Sequence, residues 1–172
     1  MTTSLPEPWL RGPVPAVPQL LQPAAHAFIM SREDVEAATT GLSVDQLWSE
    51  PGGIASLGFH LAHLTGSTDR LLTYARGDAL SKAQREALAR ERTLSTERPH
   101  LSDLIAAWQD MVAKALEQLS STSDGMLLQS RFVGRQQLPS TVLGLMFHAA
   151  EHASRHTGQV VTTAKFIRGL AD

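Results

Sequence analysis

Five of the seven histidines in this chain fall in two short stretches: His60 and His63 in one, and His148, His152 and His156 in the other. Chance produces a run at i, i+4, i+8 in roughly one chain in a hundred of this composition, so the second group asks for a reason. On an α-helix, residues four apart differ by only ~40° around the axis and ~6 Å along it, so an adjacent pair such as His152 and His156 can aim two imidazoles at one ion. Residues eight apart, with ~12 Å of rise between them, cannot. The run must therefore split into a ligand pair and a third histidine with another role. An imidazole from the first stretch, His60 or His63, would complete the three-histidine face that zinc, nickel or iron accepts, leaving a position for water or substrate. The bland alternative is a set of surface or core-edge histidines beside Phe59, Leu145 and Phe147, each satisfied by a carbonyl or water.

The absence of cysteine narrows the chemistry. It rules out a disulfide framework, a thiolate zinc site and a cysteine nucleophile, and leaves histidines and carboxylates as the strong metal ligands. His148 to His152 also spells HAAEH, the His-x-x-Glu-His order of inverted zinc peptidases. Such enzymes need a further carboxylate ligand well downstream, and the sole acid after His152 is Asp172. A peptidase is therefore not expected, and Glu151 reads as solvated or as a neighbour of the ligands.

The histidines need helices to hold them. Apolar residues recur at helical spacing from about Gln19 to Thr39, with Gly41 as a stop. Ser43 is a plausible cap for a short SVDQLW turn, and after the Pro51–Gly53 break a second helix is predicted from about Ala55 to Arg76, closed by Gly77. The polar stretch SKAQREALARERT suits either a short solvated helix or a loose connection. A third helix should start near Ser102, where Leu104, Ile105, Trp108, Met111, Val112, Ala115, Leu116 and Leu119 form an apolar stripe. Residues 126–138 suit two short extended pieces around Gly134, and Ser140 is the expected N-cap of a last helix reaching about Arg168. Four of nine prolines lie in the first fifteen residues, so residues 1–18 are expected as an extended arm with Trp9 and Leu10 as candidate anchors. Residues 19–172 then form one all-α domain, a four-helix bundle whose connectivity periodicity does not decide.

Composition agrees with this reading. A chain of 172 residues, 42% hydrophobic, supports one core. With 15 basic against 17 acidic residues and no basic stripe, nucleic acid is not an expected partner. The first residues have neither a basic start nor an apolar run of signal-peptide length, and no segment is apolar enough for a membrane span, which sets the expectation of a soluble, cytoplasmic protein.

The segments GFHLAHLTGSTDRLLTYARG and FHAAEHASRHTGQVVTTAKF resemble the DinB/YfiT superfamily of metal-dependent proteins, in order and spacing over about residues 19–168. His63, Leu64 and Asp69 match a His-Leu-x-x-x-x-Asp pattern of the second helix. His152, His156, Gly158 and Gln159 match the His-x-x-x-His-x-Gly-Gln ending of the last. The resemblance implies a four-helix bundle, often dimeric, with zinc or nickel held by His63, His152 and His156. His60, His148 and Gln159 are then candidates for the surrounding shell. It also implies a small-molecule substrate, and in some branches a low-molecular-weight thiol such as bacillithiol or mycothiol.

Three neutral imidazoles leave the ion its full charge, so a bound water can fall to a pKa of ~7 on zinc and a thiol is deprotonated more readily still. Hydrolysis, or thiol-dependent transfer or isomerisation with the nucleophile arriving on the cosubstrate, is therefore expected. The alternative is a non-catalytic, stress-associated module in which the ion ties two helices together. A homodimer is expected through the proline-rich arm and the 126–138 segment.

Overall fold

The computed structural model describes residues 5–169. Its elements are α1 (Gln22–Thr39), α2 (Val44–Trp48), α3 (Leu57–Arg76), α4 (Lys82–Arg90), α5 (Leu94–Glu97), α6 (Leu101–Ser121), a hairpin of β1 (Ser130–Val133) and β2 (Leu138–Thr141), and α7 (Val142–Gly169). The fold is all-α, with the four long helices α1, α3, α6 and α7 forming the bundle.

Local chemistry sets the helix ends. Pro23, which has no N–H to give, sits in the first turn of α1, and the preceding Gln19–Leu21 forms a 3-10 turn instead of extending the helix. Ser43 caps α2 in a reciprocal capping box with Gln46, as its position before the apolar run predicts. Ser56 accepts the Phe59 N–H and opens α3 slightly later than expected. Gly77, at φ 91°, closes α3 in the left-handed conformation that glycine adopts without a Cβ penalty. The polar stretch is a helix with its own capping box between Ser81 and Gln84.

Four expectations need correction. Ser140 is not the N-cap of α7: the strand β2 runs on through Thr141, which pairs with Ser130, so α7 opens only at Val142 and the Thr141 hydroxyl accepts the Gly144 N–H at 3.0 Å. Extended structure is displaced C-terminally, to 130–141, since residues 124–126 form a 3-10 turn and Leu127 is buried. Trp9 and Leu10 do not anchor the arm, being 58% and 57% exposed. Arg11 instead pairs with Glu33 on α1, and the Gln22 side chain clasps Val14 and Val17 by their backbone groups. The arm also bends through a 3-10 turn at Pro8–Leu10 rather than running straight. Residues 1–4 lie outside the described residues.

Hydrogen bonds decide the connectivity. Ser31 meets Thr157 and Arg168 reaches the Thr40 carbonyl, so α1 and α7 run parallel. His60 meets His156 and His63 meets His152, so α3 and α7 run antiparallel. Trp48 packs at Gly58 and donates to the Pro99 carbonyl, tying the starts of α3 and α6, while Gln118 donates to the Leu72 carbonyl near their ends. These two are therefore parallel, and the bundle is up-down-down-up, with α1 and α3 on opposite corners. The core is filled by Leu21, Phe28, Leu57, Leu61, Leu64, Trp108, Leu119 and Met146, all fully buried. Each such side chain contributes about 1.5–3 kcal/mol. Gly58 has no Cβ for a reason: one there would come within 2.6 Å of the Trp48 ring.

Candidate metal centre

The antiparallel pair α3 and α7 carries the histidines. On α7 the small residues Ala149, Ala150, Ala153 and Thr157 form part of a buried stripe that meets Ser31 of α1 at Thr157, and α3 packs alongside. His152 and His156 flank that stripe, one turn apart. On α3 the buried Leu57, Leu61 and Leu64 face the core, which turns His60 and His63 toward α7.

The structure brings His63, His152 and His156 together, with one ring nitrogen of each within 4.8 Å of the others. His63 Nε2 and His152 Nε2 are 3.0 Å apart. Two nitrogens bound ~2.0–2.1 Å from a tetrahedral zinc would be separated by about 3.3 Å, so the donor set and its spacing fit one divalent ion. The ring centres of His152 and His63 each lie 4.6 Å from that of His156.

The remaining sequence candidates separate clearly. His60 is 7% exposed, and its Nδ1 lies 3.0 Å from Nδ1 of His156. It stands behind one ligand candidate rather than in the group of three. His148 is half-exposed, 3.3 Å from Glu151, with its ring centre 5.7 Å from that of His152. Glu151 pairs mainly with Arg155, at 2.7 Å. Gln159 is exposed on the turn after His156. Asp69 accepts a 2.7 Å hydrogen bond from Gln84 and so joins α3 to α4. Phe59 stacks on the His63 ring at 5.5 Å and 11°. Asp172, the acid that bears on a peptidase reading, lies outside the described residues.

One residue escaped the sequence reading. Glu91, at the end of α4, is 8% exposed and places Oε2 2.9 Å from His63 Nδ1 and Oε1 2.6 Å from Arg70. It belongs to a charge-dense stretch whose other members are mostly exposed, so composition points the wrong way. The available signal was Gly66, an isolated glycine inside a helical pattern. A Cβ at Gly66 would come within 2.5 Å of Glu91 Oε1 and 2.8 Å of Arg70.

Donor and acceptor roles follow along one chain of contacts. Arg70 donates to Glu91, and a carboxylate can only accept from His63, so His63 carries its proton on Nδ1 and its lone pair on Nε2. At the other end, Arg155 lies 3.3 Å from His152 Nδ1 and can only donate to it. His152 then carries its proton on Nε2 and donates to His63. Burial and the neighbouring His63, His152, His60 and Arg155 push His156 down to about 4. Burial first, and then His63, also lowers His60. His152 is lowered by burial, His63, Arg155 and His148, against a smaller upward pull from Glu151. These three imidazoles are neutral at pH 7, the form that binds metals. Burial alone would raise Glu91, but hydrogen bonds from His63 and Arg70 outweigh it and hold the carboxyl below its ordinary range.

The DinB superfamily model matches residues 27–160, which take in most of α1, all of α3 and α6, and both histidine motifs. The chain belongs to the DinB superfamily. No curated protein matches it. Among the described residues of this DinB-superfamily chain, no helix is long and apolar enough to cross a membrane.

Proposed function

We propose that this DinB-superfamily protein is a metal-dependent enzyme that holds one divalent transition ion, zinc or nickel, on His63, His152 and His156. The observation that carries the reading is the convergence of one nitrogen from each histidine within 4.8 Å, across two helices. Three neutral protein ligands suit an open, reactive site better than a closed structural one, which takes four. The alternative, a non-catalytic module, would need His60 as the fourth ligand, but His60 is not part of the group whose nitrogens lie within 4.8 Å of one another.

When bound, such an ion supplies Lewis acidity to a water or a thiol, which supports either hydrolysis or transfer from a low-molecular-weight thiol cosubstrate. The protein's own part is to present three imidazoles, two of them from consecutive turns of α7. Phe59 limits water access to one face of His63. Arg155, Glu151 and His148 line the exposed flank of His152, where a polar small molecule would arrive. Self-association as a homodimer is part of the same proposal, since the hairpin region exposes Leu128, Phe132 and Leu138.

Elemental analysis after zinc or nickel loading tests the site. About one ion per chain is expected, and a His152→Ala/His156→Ala double variant that binds equally well would end the proposal. Assaying the loaded protein on activated esters, and on an electrophile with and without bacillithiol or mycothiol, separates the two chemistries. Light scattering of wild type against Phe132→Glu reports the dimer.

A further inference from the structure

We infer that Glu91 is a positioning residue for the proposed metal centre: clamped by Arg70 in a space that Gly66 leaves open, it selects the ring tautomer of His63 and so makes Nε2 the nitrogen offered to the ion. The inference rests on the three-histidine reading above and concerns a residue from outside the histidine motifs.

Two observations and one chemical rule support it. The Glu91 carboxylate is nearly buried, and its two oxygens are divided, Oε2 to His63 Nδ1 at 2.9 Å and Oε1 to Arg70 at 2.6 Å. A carboxylate accepts only, so its presence keeps the proton on Nδ1, and His63 Nε2 is then the lone-pair nitrogen facing His152 at 3.0 Å. The glycine supplies the space: an alanine Cβ at position 66 would meet Glu91 Oε1 at 2.5 Å and Arg70 at 2.8 Å, while both contacted atoms are the ends of flexible side chains that can move aside. A glycine in the middle of a 20-residue helix is unfavourable for the helix itself, and the carboxylate–guanidinium pair accounts for its presence.

The arrangement also explains how an otherwise solvated segment is held. Every residue of α4 is exposed or half-buried, and Glu91 and Leu94 are the buried points of the 82–97 stretch. Glu91 therefore joins the α4–α5 connection to the histidine site.

The test uses full-length Glu91→Gln, Glu91→Ala and Gly66→Ala proteins, with zinc affinity measured by chelator competition and the His63 tautomer read by 15N NMR on the metal-free forms. Wild type should show His63 protonated on Nδ1. Glu91→Ala should lose that preference and bind zinc about 10–100-fold more weakly, with Glu91→Gln, whose amide oxygen can still accept, lying between. Gly66→Ala is the second probe, because its Cβ displaces the Glu91 carboxylate without removing it: the Nδ1 preference of His63 and the zinc affinity should both fall. A purely structural role would lower stability, and affinity with it, while leaving the His63 tautomer unchanged. If Glu91→Ala does not fold, Glu91→Gln and Gly66→Ala carry the test. Wild-type zinc affinity and an unchanged His63 tautomer in the folded variants would overturn the inference. If wild type itself binds no zinc, the metal reading falls, and the tautomer measurement still decides the role of Glu91.

Discussion

His63 and His152 are both candidate ligands whose Nε2 atoms are 3.0 Å apart, yet they are held in opposite ways. His63 is backed by a buried carboxylate, itself gripped by a buried arginine, and its Nε2 carries the lone pair that faces His152. His152 is backed by the exposed Arg155, which donates to Nδ1 and leaves the proton on Nε2, the nitrogen that faces His63. The α3 flank therefore already has the tautomer that the proposed metal centre would need. On the α7 flank, His152 would have to shift its proton off Nε2 to serve the proposed metal centre through that nitrogen. The contrast teaches that two histidines in similar motifs can differ in readiness because of partners that neither motif contains.

The largest effect should come from removing the histidines themselves. Alanine at His63, His152 or His156 should remove most metal binding, a loss beyond 100-fold, whereas His148→Ala should cost no more than the 10–100-fold typical of a residue behind the ligands. Calorimetric titration of each variant provides the measurement. Equal losses at His63 and His148 would erase the distinction between ligand and bystander.

Stability should divide along the same line. Glu91→Ala strands the buried charge of Arg70 and is expected to cost about 3–5 kcal/mol, while Glu151→Ala, which breaks an exposed pair, should stay within about 0.5 kcal/mol of wild type. Urea unfolding of metal-free proteins compares them directly. A Glu151 variant as damaged as the Glu91 variant would contradict the assignment of one flank as buried and the other as solvated.

Acid should separate the flanks by pH window. The folded pKa of His156, about 4, lies below its ordinary value of 6.5, so its contribution to stability is complete above 6.5 and is lost as pH falls toward 4. Glu91 is held below 4.5, so its contribution is present above 4.5 and disappears only under more acid conditions. Melting temperature in chelator should thus begin to fall between pH 6.5 and 4, with a second loss below. Zinc should oppose the first, since the ion binds the neutral imidazole. A metal-free melting temperature that is flat from pH 7 to 4.5 would refute this account of His156.

The smallest effect concerns Arg155. Removing its hydrogen bond frees His152 Nδ1 to take the proton, so Arg155→Ala should bind zinc equally well or a few-fold more tightly, with stability changed by less than about 0.5 kcal/mol. A marked loss of zinc affinity would instead make Arg155 a support for His152, as Glu91 is for His63.

Much of this protein could be read along the chain because it rests on local rules. The stripes of α3, α6 and α7, the caps at Ser43 and Gly77, and the pairing of His152 with His156 depend on a 3.6-residue repeat or on single-residue backbone preferences. Sequence alone favours Ser140 as the N-cap of α7, the better capping residue of the two, and only the extension of the hairpin through Thr141 moves the cap on by one. Contacts between helices follow no such repeat. The up-down-down-up order, the choice that puts His63 in the trio and turns His60 toward His156, and the burial of Glu91 all arise where side chains distant in sequence meet. A carboxylate in a polar helix looks solvated from its neighbours in sequence, and only the approach of α3, with a glycine at position 66, gives it an arginine and a histidine to bind.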